Sequence, residues 1–122
     1  MMEDDMNVYA LRGAVQLEND SEVQVTEKTK RLVERLLKAN NIGEGDIISV
    51  HFSQTEDIRS MNPATALRTA GFHDVPLFCS QEPACRGSLP RTIRVLLTYR
   101  SSEDKKQNHI YLDGAEVLRP DL

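Results

Sequence analysis

No apolar run in this 122-residue chain is long enough to span a bilayer, so a membrane-spanning helix is not expected. The first residues, Met1-Met2-Glu3-Asp4-Asp5-Met6, are acidic and carry no hydrophobic segment, so they do not read as a secretory signal. A cytoplasmic protein is expected. Excess positive charge is also missing. The net charge is −4, and no Lys/Arg cluster appears of the kind that nucleic-acid binding requires. Cysteine is nearly absent: Cys79 and Cys85 are the two in the chain. In a reducing compartment they are expected as separate thiols. His73, Cys79, Glu82 and Cys85 are the residues a metal would recruit, but their spacing fits no common zinc pattern, and no metal is expected. There is no internal repeat, no G-x-S-x-G, no phosphate loop and no paired histidine cluster. His51, His73 and His109 are scattered and read as structural or exposed. If the chain is an enzyme, its chemistry rests on electrostatics rather than on a nucleophile, a metal or another cofactor.

What is present is the pattern of one domain over residues 1–122, with a loose tail at 1–6. Residues 8–17 read as a strand interrupted by Gly13. Ser21-Glu22-Val23-Gln24 fits a capping box, opening a helix in which Val25, Thr29, Leu32, Val33, Leu36 and Leu37 form one apolar stripe. Asn40-Asn41-Ile42-Gly43 ends it. Residues 47–52 are β-branched enough for a strand. Asn62 caps a shorter helix with Pro63 in its first turn, ending near Gly71. Residues 75–81 predict a third strand and 83–90 a loop. Residues 92–100 form the clearest strand, with Ile93, Val95, Leu97 and Tyr99 on one face. Residues 101–108 are polar and predict at most a helical turn, and 109–112 a last short strand. The order β-α-β-α-β-β-β implies an α+β fold, a mixed sheet with two helices on one face. Two helices are little cover for five strands, so an oligomer that buries the open face is expected.

Arg94 stands inside the strongest strand, with Leu96 on its own face. A desolvated guanidinium needs an anion. That anion is either an internal partner such as Glu82 or Glu116, or a ligand. Arg12 lies in the first strand on the face of Val8 and Ala10. Beside it, Gly13 leaves room for a ligand or for another backbone. Arg68 lies on the short helix and by itself reads as solvated. Glu82 ends a strand where it opens into a loop, a place for either a functional or a solvated carboxylate. Tyr111 sits among apolar residues, and its hydroxyl needs a partner.

Taken together, these segments resemble the AroH class of chorismate mutases along most of the chain. The matching stretches are Leu11-Arg12-Gly13-Ala14, Pro63-Ala64 with Ala66 and Arg68, Val75-Pro76 with Cys79 and Gln81-Glu82, and Ile93-Arg94-Val95 with Thr98. Tyr111-Leu112 and Val117-Leu118-Arg119-Pro120-Asp121-Leu122 complete them. Their order over about a hundred residues makes the resemblance specific. It implies a homotrimer with active sites between subunits, rearranging chorismate to prephenate in phenylalanine and tyrosine biosynthesis. That rearrangement needs no proton transfer, covalent intermediate or cofactor. It needs a compact conformer and stabilised charge as an ether bond breaks. The resemblance implies that Arg94 faces the ether oxygen, that Arg12 and Tyr111 hold the side-chain carboxylate, and that Glu82 with Cys79 meets the ring hydroxyl. Arg68 comes from the adjacent subunit, and Leu118 and Arg119 from a tail over the site. Asn62 and Thr65 line the cleft where the family commonly has an aromatic residue and a lysine, and Phe78 replaces a small polar residue. A non-catalytic trimer binding a small carboxylate is the alternative, and fold alone does not exclude it.

Overall fold

A computed structural model of the chain describes residues 6–121. The expected loose tail at 1–6 lies, apart from Met6, outside the described residues. Five strands form one mixed sheet in the order β3-β2-β4-β1-β5, where β1 is Asn7–Gln16, β2 Ile47–Gln54, β3 Leu77–Gln81, β4 Thr92–Ser101 and β5 Ile110–Leu112. β4 lies at the centre, antiparallel to both β1 and β2, while β3 and β5 add parallel strands at the edges. Helices α1 (Glu22–Ala39) and α2 (Pro63–Thr69) pack on each other and cover one face. None of the described helices is long and apolar enough to cross a membrane.

The apolar stripe drives this arrangement. Val25, Leu32, Val33 and Leu36 of α1 are buried against Leu11, Val15, Val95 and Leu97 in one continuous core. Each such side chain contributes about 1.5–3 kcal/mol relative to exposure. Ser21 caps α1 by accepting from the Gln24 amide at 3.2 Å. The Gln24 side chain, however, accepts from Glu18 N–H rather than closing a reciprocal box on Ser21. At the other end Asn40 is buried. Its amide group donates to the Leu36 and Asn108 carbonyls and accepts from Asn108 N–H. That clamp explains why the polar segment before β5 is irregular and not the expected helical turn: its backbone is held to the helix end. β3 begins at Leu77 rather than at residue 75 because Pro76 has no N–H for the ladder, although its carbonyl still accepts from Val50.

The open face carries Val8, Ala10 and Arg12 of β1 together with Arg94 and Leu96 of β4, all exposed. Ala14, on the same face, is fully buried. A short 3-10 turn, Ala115–Leu118, packs back against β1 and β5 at that end of the sheet. An ion-paired staple anchors this return, with Lys28 and Arg31 of α1 both at 2.7 Å from Asp113.

Gly13 has a close backbone neighbour, and it also lines a cavity on the open face. A Cβ there would lie 2.7 Å from the Ile110 carbonyl oxygen and 3.2–3.3 Å from Leu32 and Val95 side-chain carbons. Gly13 therefore lets β5 dock on β1 and places Tyr111 opposite Ala14. Gly13→Ala is expected to cost about 1–3 kcal/mol, as overpacking in a filled core does. Urea denaturation followed by circular dichroism measures this; an unchanged midpoint would contradict the packing account.

Candidate active site

Strand pairing builds the site. On the open face two rows run across the sheet. One row is Tyr111, Ala14, Arg94, Ser53 and Ser80; the next is Arg12, Leu96, His51 and Phe78. A cavity of about 340 Å³ lies over them, lined among others by Arg12, Arg94, Tyr111, Leu118 and Arg119. Five residues singled out in the sequence thus converge from three strands and the tail.

Arg94 is central. Its Nε is 2.7 Å from Glu82 Oε1, so the internal partner considered from sequence is Glu82. Glu116 instead accepts from the Gly114 amide. Glu82 is fixed twice more, by Ser53 Oγ donating to Oε1 at 3.0 Å and by its own N–H donating to the Gln54 carbonyl at 2.8 Å. The pair does not use up the arginine. Its side chain is 45% exposed, and its two terminal nitrogens have no partner among the described residues. The ion pair thus leaves Arg94 half exposed and on the lining of the cavity.

The tail supplies a second anchored guanidinium. Arg119 is held by Asp121 through Nε and Nη2 at 3.0 and 2.7 Å. The hydrogen bond from Arg119 draws the Asp121 carboxyl down to about 2, and the same bond pushes the Arg119 guanidinium up. The pair consequently stays ionised well into acid. Arg119 Nη1 is buried and has no partner among the described residues. Arg12 forms no ion pair among them either, and its backbone N–H donates to His109 Nδ1 at 2.9 Å. Three arginines thus face one cavity in a chain of net charge −4, the local field reversal that an anionic ligand requires.

The remaining candidates are not brought to this cavity within one chain. Cys79 lies opposite Phe52, on the helix-covered face of β3, with Sγ 3.8 Å from Gln54 Oε1. It does not share Glu82's surroundings, as the sequence reading expected, because strand alternation turns the two residues to opposite faces. Burial pushes the Cys79 thiol up, which disfavours a thiolate nucleophile. Asn62 is the α2 cap, its Oδ1 accepting from the Ala64 and Thr65 amides. Thr65 and Arg68 are exposed on α2, in the layer on the opposite side of the sheet from the arginines. Sequence reasoning missed His51, Ser53 and Ser80, which line the cavity. Their only signal was alternation along β2 and β3, and it becomes readable once those strands are paired with β4.

A cavity lined by three arginines, one of them paired with the Glu82 carboxylate outside its lining, is suited to an anion. Comparison with known proteins agrees. The family model for chorismate mutase type I matches residues 8–122. The chain is 36% identical over 119 residues to "Chorismate mutase AroH" of Bacillus subtilis (strain 168), covering 96% of this chain and 94% of that protein. It is 39% identical over 117 residues to the protein of the same name from Thermus thermophilus, covering 94% and 96%. A solved chorismate mutase from Clostridium thermocellum superposes with a TM-score of 0.82 at 33% identity, covering 89% of this chain and 98% of that one. The chain belongs to the chorismate mutase type I family.

Histidine 109 gives this site a measurable pH signature. Burial, then the charges of Arg12 and Arg119, lower its pKa below the ordinary 6.5. The neutral ring, which accepts from Arg12 N–H, is therefore the form that folding favours. Its contribution is present above about pH 6.5 and is lost as pH falls through the lowered folded-state value. Denaturation midpoints between pH 8 and 5 should fall more in wild type than in His109→Gln. Parallel curves would show that the ring does not carry this linkage.

Proposed function

We infer that the chain is an isomerase, a chorismate mutase that rearranges chorismate to prephenate for aromatic amino acid biosynthesis. The observation that carries this reading is Arg94, paired through Nε with Glu82 and lining, half exposed, a cavity that Arg12 and Arg119 also line. In the [3,3] rearrangement the ether C–O bond breaks while a new C–C bond forms. Electrons shift around one ring of atoms, so no proton, metal or covalent partner is needed. Negative charge grows on the ether oxygen and positive charge on the ring fragment. The Arg94 fork stabilises the first and the Glu82 carboxylate the second. Both are held in place before the reaction and cost no reorganisation. Arg12, with Tyr111, holds the side-chain carboxylate and so selects the compact conformer. Leu118 and Arg119 close over the bound substrate, Asp121 keeping the guanidinium oriented.

The protein works as a single-domain homotrimer in the cytoplasm. The exposed Val8, Phe78 and Leu96 of the open face support burial against a further copy. So does the separation of Arg68, Thr65 and Asn62 from the cavity of their own chain. In the trimer these residues line the neighbour's site. Asn62, Thr65 and Phe78 then set its lining.

The test is loss of chorismate absorbance in the near ultraviolet on adding the purified protein. Arg94→Ala should lose about 2.7–4 kcal/mol of transition-state stabilisation, mainly in kcat. Arg94→Lys should recover only part, because a point charge cannot reproduce the planar fork. If Arg94→Ala is folded by circular dichroism and nearly as fast as wild type, the ion pair with Glu82 is purely structural.

A further inference from the structure

We propose that Ser53 is a positioning residue of this site: by loading one oxygen of Glu82 it keeps the Glu82–Arg94 pair single-armed, and so keeps the terminal nitrogens of Arg94 available to a ligand. The proposal rests on the chorismate mutase reading and gives a role to a hydroxyl which that reading leaves unused. A guanidinium and a carboxylate side by side favour two parallel hydrogen bonds, fork to fork. Arg94 and Glu82 do not pair in that way. Their contact is Nε to Oε1 at 2.7 Å, and among the described residues neither terminal nitrogen of Arg94 hydrogen-bonds to Glu82.

Register places the obstacle to a second arm. Ser53 of β2 lies directly across from Arg94 of β4 on one side and from Ser80 of β3 on the other. The Glu82 amide donates to the Gln54 carbonyl at 2.8 Å, which fixes the backbone just beyond β3. The Glu82 side chain then meets Ser53 Oγ, 3.0 Å from Oε1. An ionised carboxylate only accepts, so the hydroxyl is the donor. Oε1 is therefore held from β2 and from β4 at once. Turning the carboxylate to offer both oxygens to Arg94 would take Oε1 from the hydroxyl and break a hydrogen bond to a charged acceptor, the stronger class of such bonds. Ser80 does not stand in for Ser53, because its Oγ is engaged with His51 Nε2 at 3.0 Å. Ser53 and Arg94 both line the cavity, so the contact that restrains the arginine is made at the cavity wall.

The experiment compares Ser53→Thr with Ser53→Val, which have nearly the same shape and differ by the hydroxyl. Ser53→Ala, which adds no bulk, serves as a second variant without a donor. Circular dichroism and light scattering on each confirm fold and assembly. Wild-type turnover of chorismate tests the underlying reading by itself. Ser53→Thr should keep kcat within about twofold of wild type. Ser53→Val and Ser53→Ala should each lose about tenfold in kcat, the size of one hydrogen bond to a charged group, with KM within about twofold. The loss should depend on Arg94: adding Ser53→Ala to Arg94→Ala should cost less than about twofold more, because the group that Ser53 keeps available is gone. With an active wild type, equal losses in the Thr and Val variants would mean packing rather than the hydroxyl, and would overturn the assignment. An undiminished kcat in Ser53→Ala, or a full loss that persists beside Arg94→Ala, would overturn it as well.

Discussion

A guanidinium on the central strand of a sheet needs a partner that does not neutralise its use. Arg94 meets that need by giving Nε to Glu82 and keeping its fork. Other features of the open face follow from this one contact. Glu82 must sit at the end of β3 and continue that strand's pairing with β2. Ser53, directly across from Arg94, must hold the carboxylate oxygen in place. β1 must present Arg12 on the same face, one row away, and Gly13 must admit β5 so that Tyr111 lies opposite Ala14. The helices supply none of these groups. Their burial fixes the sheet, and the sheet fixes the arginines. The ion pair has mixed exposure, 45% and 18% for the two side chains, so its worth lies in orientation more than in stability.

Much of the fold was legible in the sequence. Period-2 alternation at 92–100, the stripe from Val25 to Leu37, and the caps at Ser21 and Asn62 are local signals, and local chemistry decides them. Misreadings arose where the chain answers to distant groups. The segment before β5 is irregular because Asn40, some seventy residues earlier, binds its backbone. Gln24 caps Glu18 instead of closing its own box. The site divides along the same line. Arg12 and Arg94 were placed on the right faces by alternation within their own strands. His51 was read as structural or exposed and Ser80 was not singled out, because their membership of the cavity depends on register between strands, which no single segment encodes. Cys79 was associated with Glu82 through the family resemblance, and within one chain the two side chains lie on opposite faces of the sheet.

The two layers of the molecule also separate two kinds of candidate. The sheet carries the arginines, the glutamate and the tyrosine; the helical layer carries Asn62, Thr65 and Arg68, with Cys79 turned toward it. A single chain does not unite them, so the account requires that one copy lend its helical layer to the sheet of the next. Complementation between two damaged copies tests that requirement directly. Arg94→Ala and Arg68→Ala proteins, each strongly impaired alone, would be unfolded together, refolded as a mixture and assayed with chorismate. With each site built from two chains, about one site in four of a randomly mixed equimolar assembly carries both intact residues, so roughly a quarter of wild-type activity should return. A mixture no more active than the average of its two components would mean that each site lies within one chain, and would contradict the account.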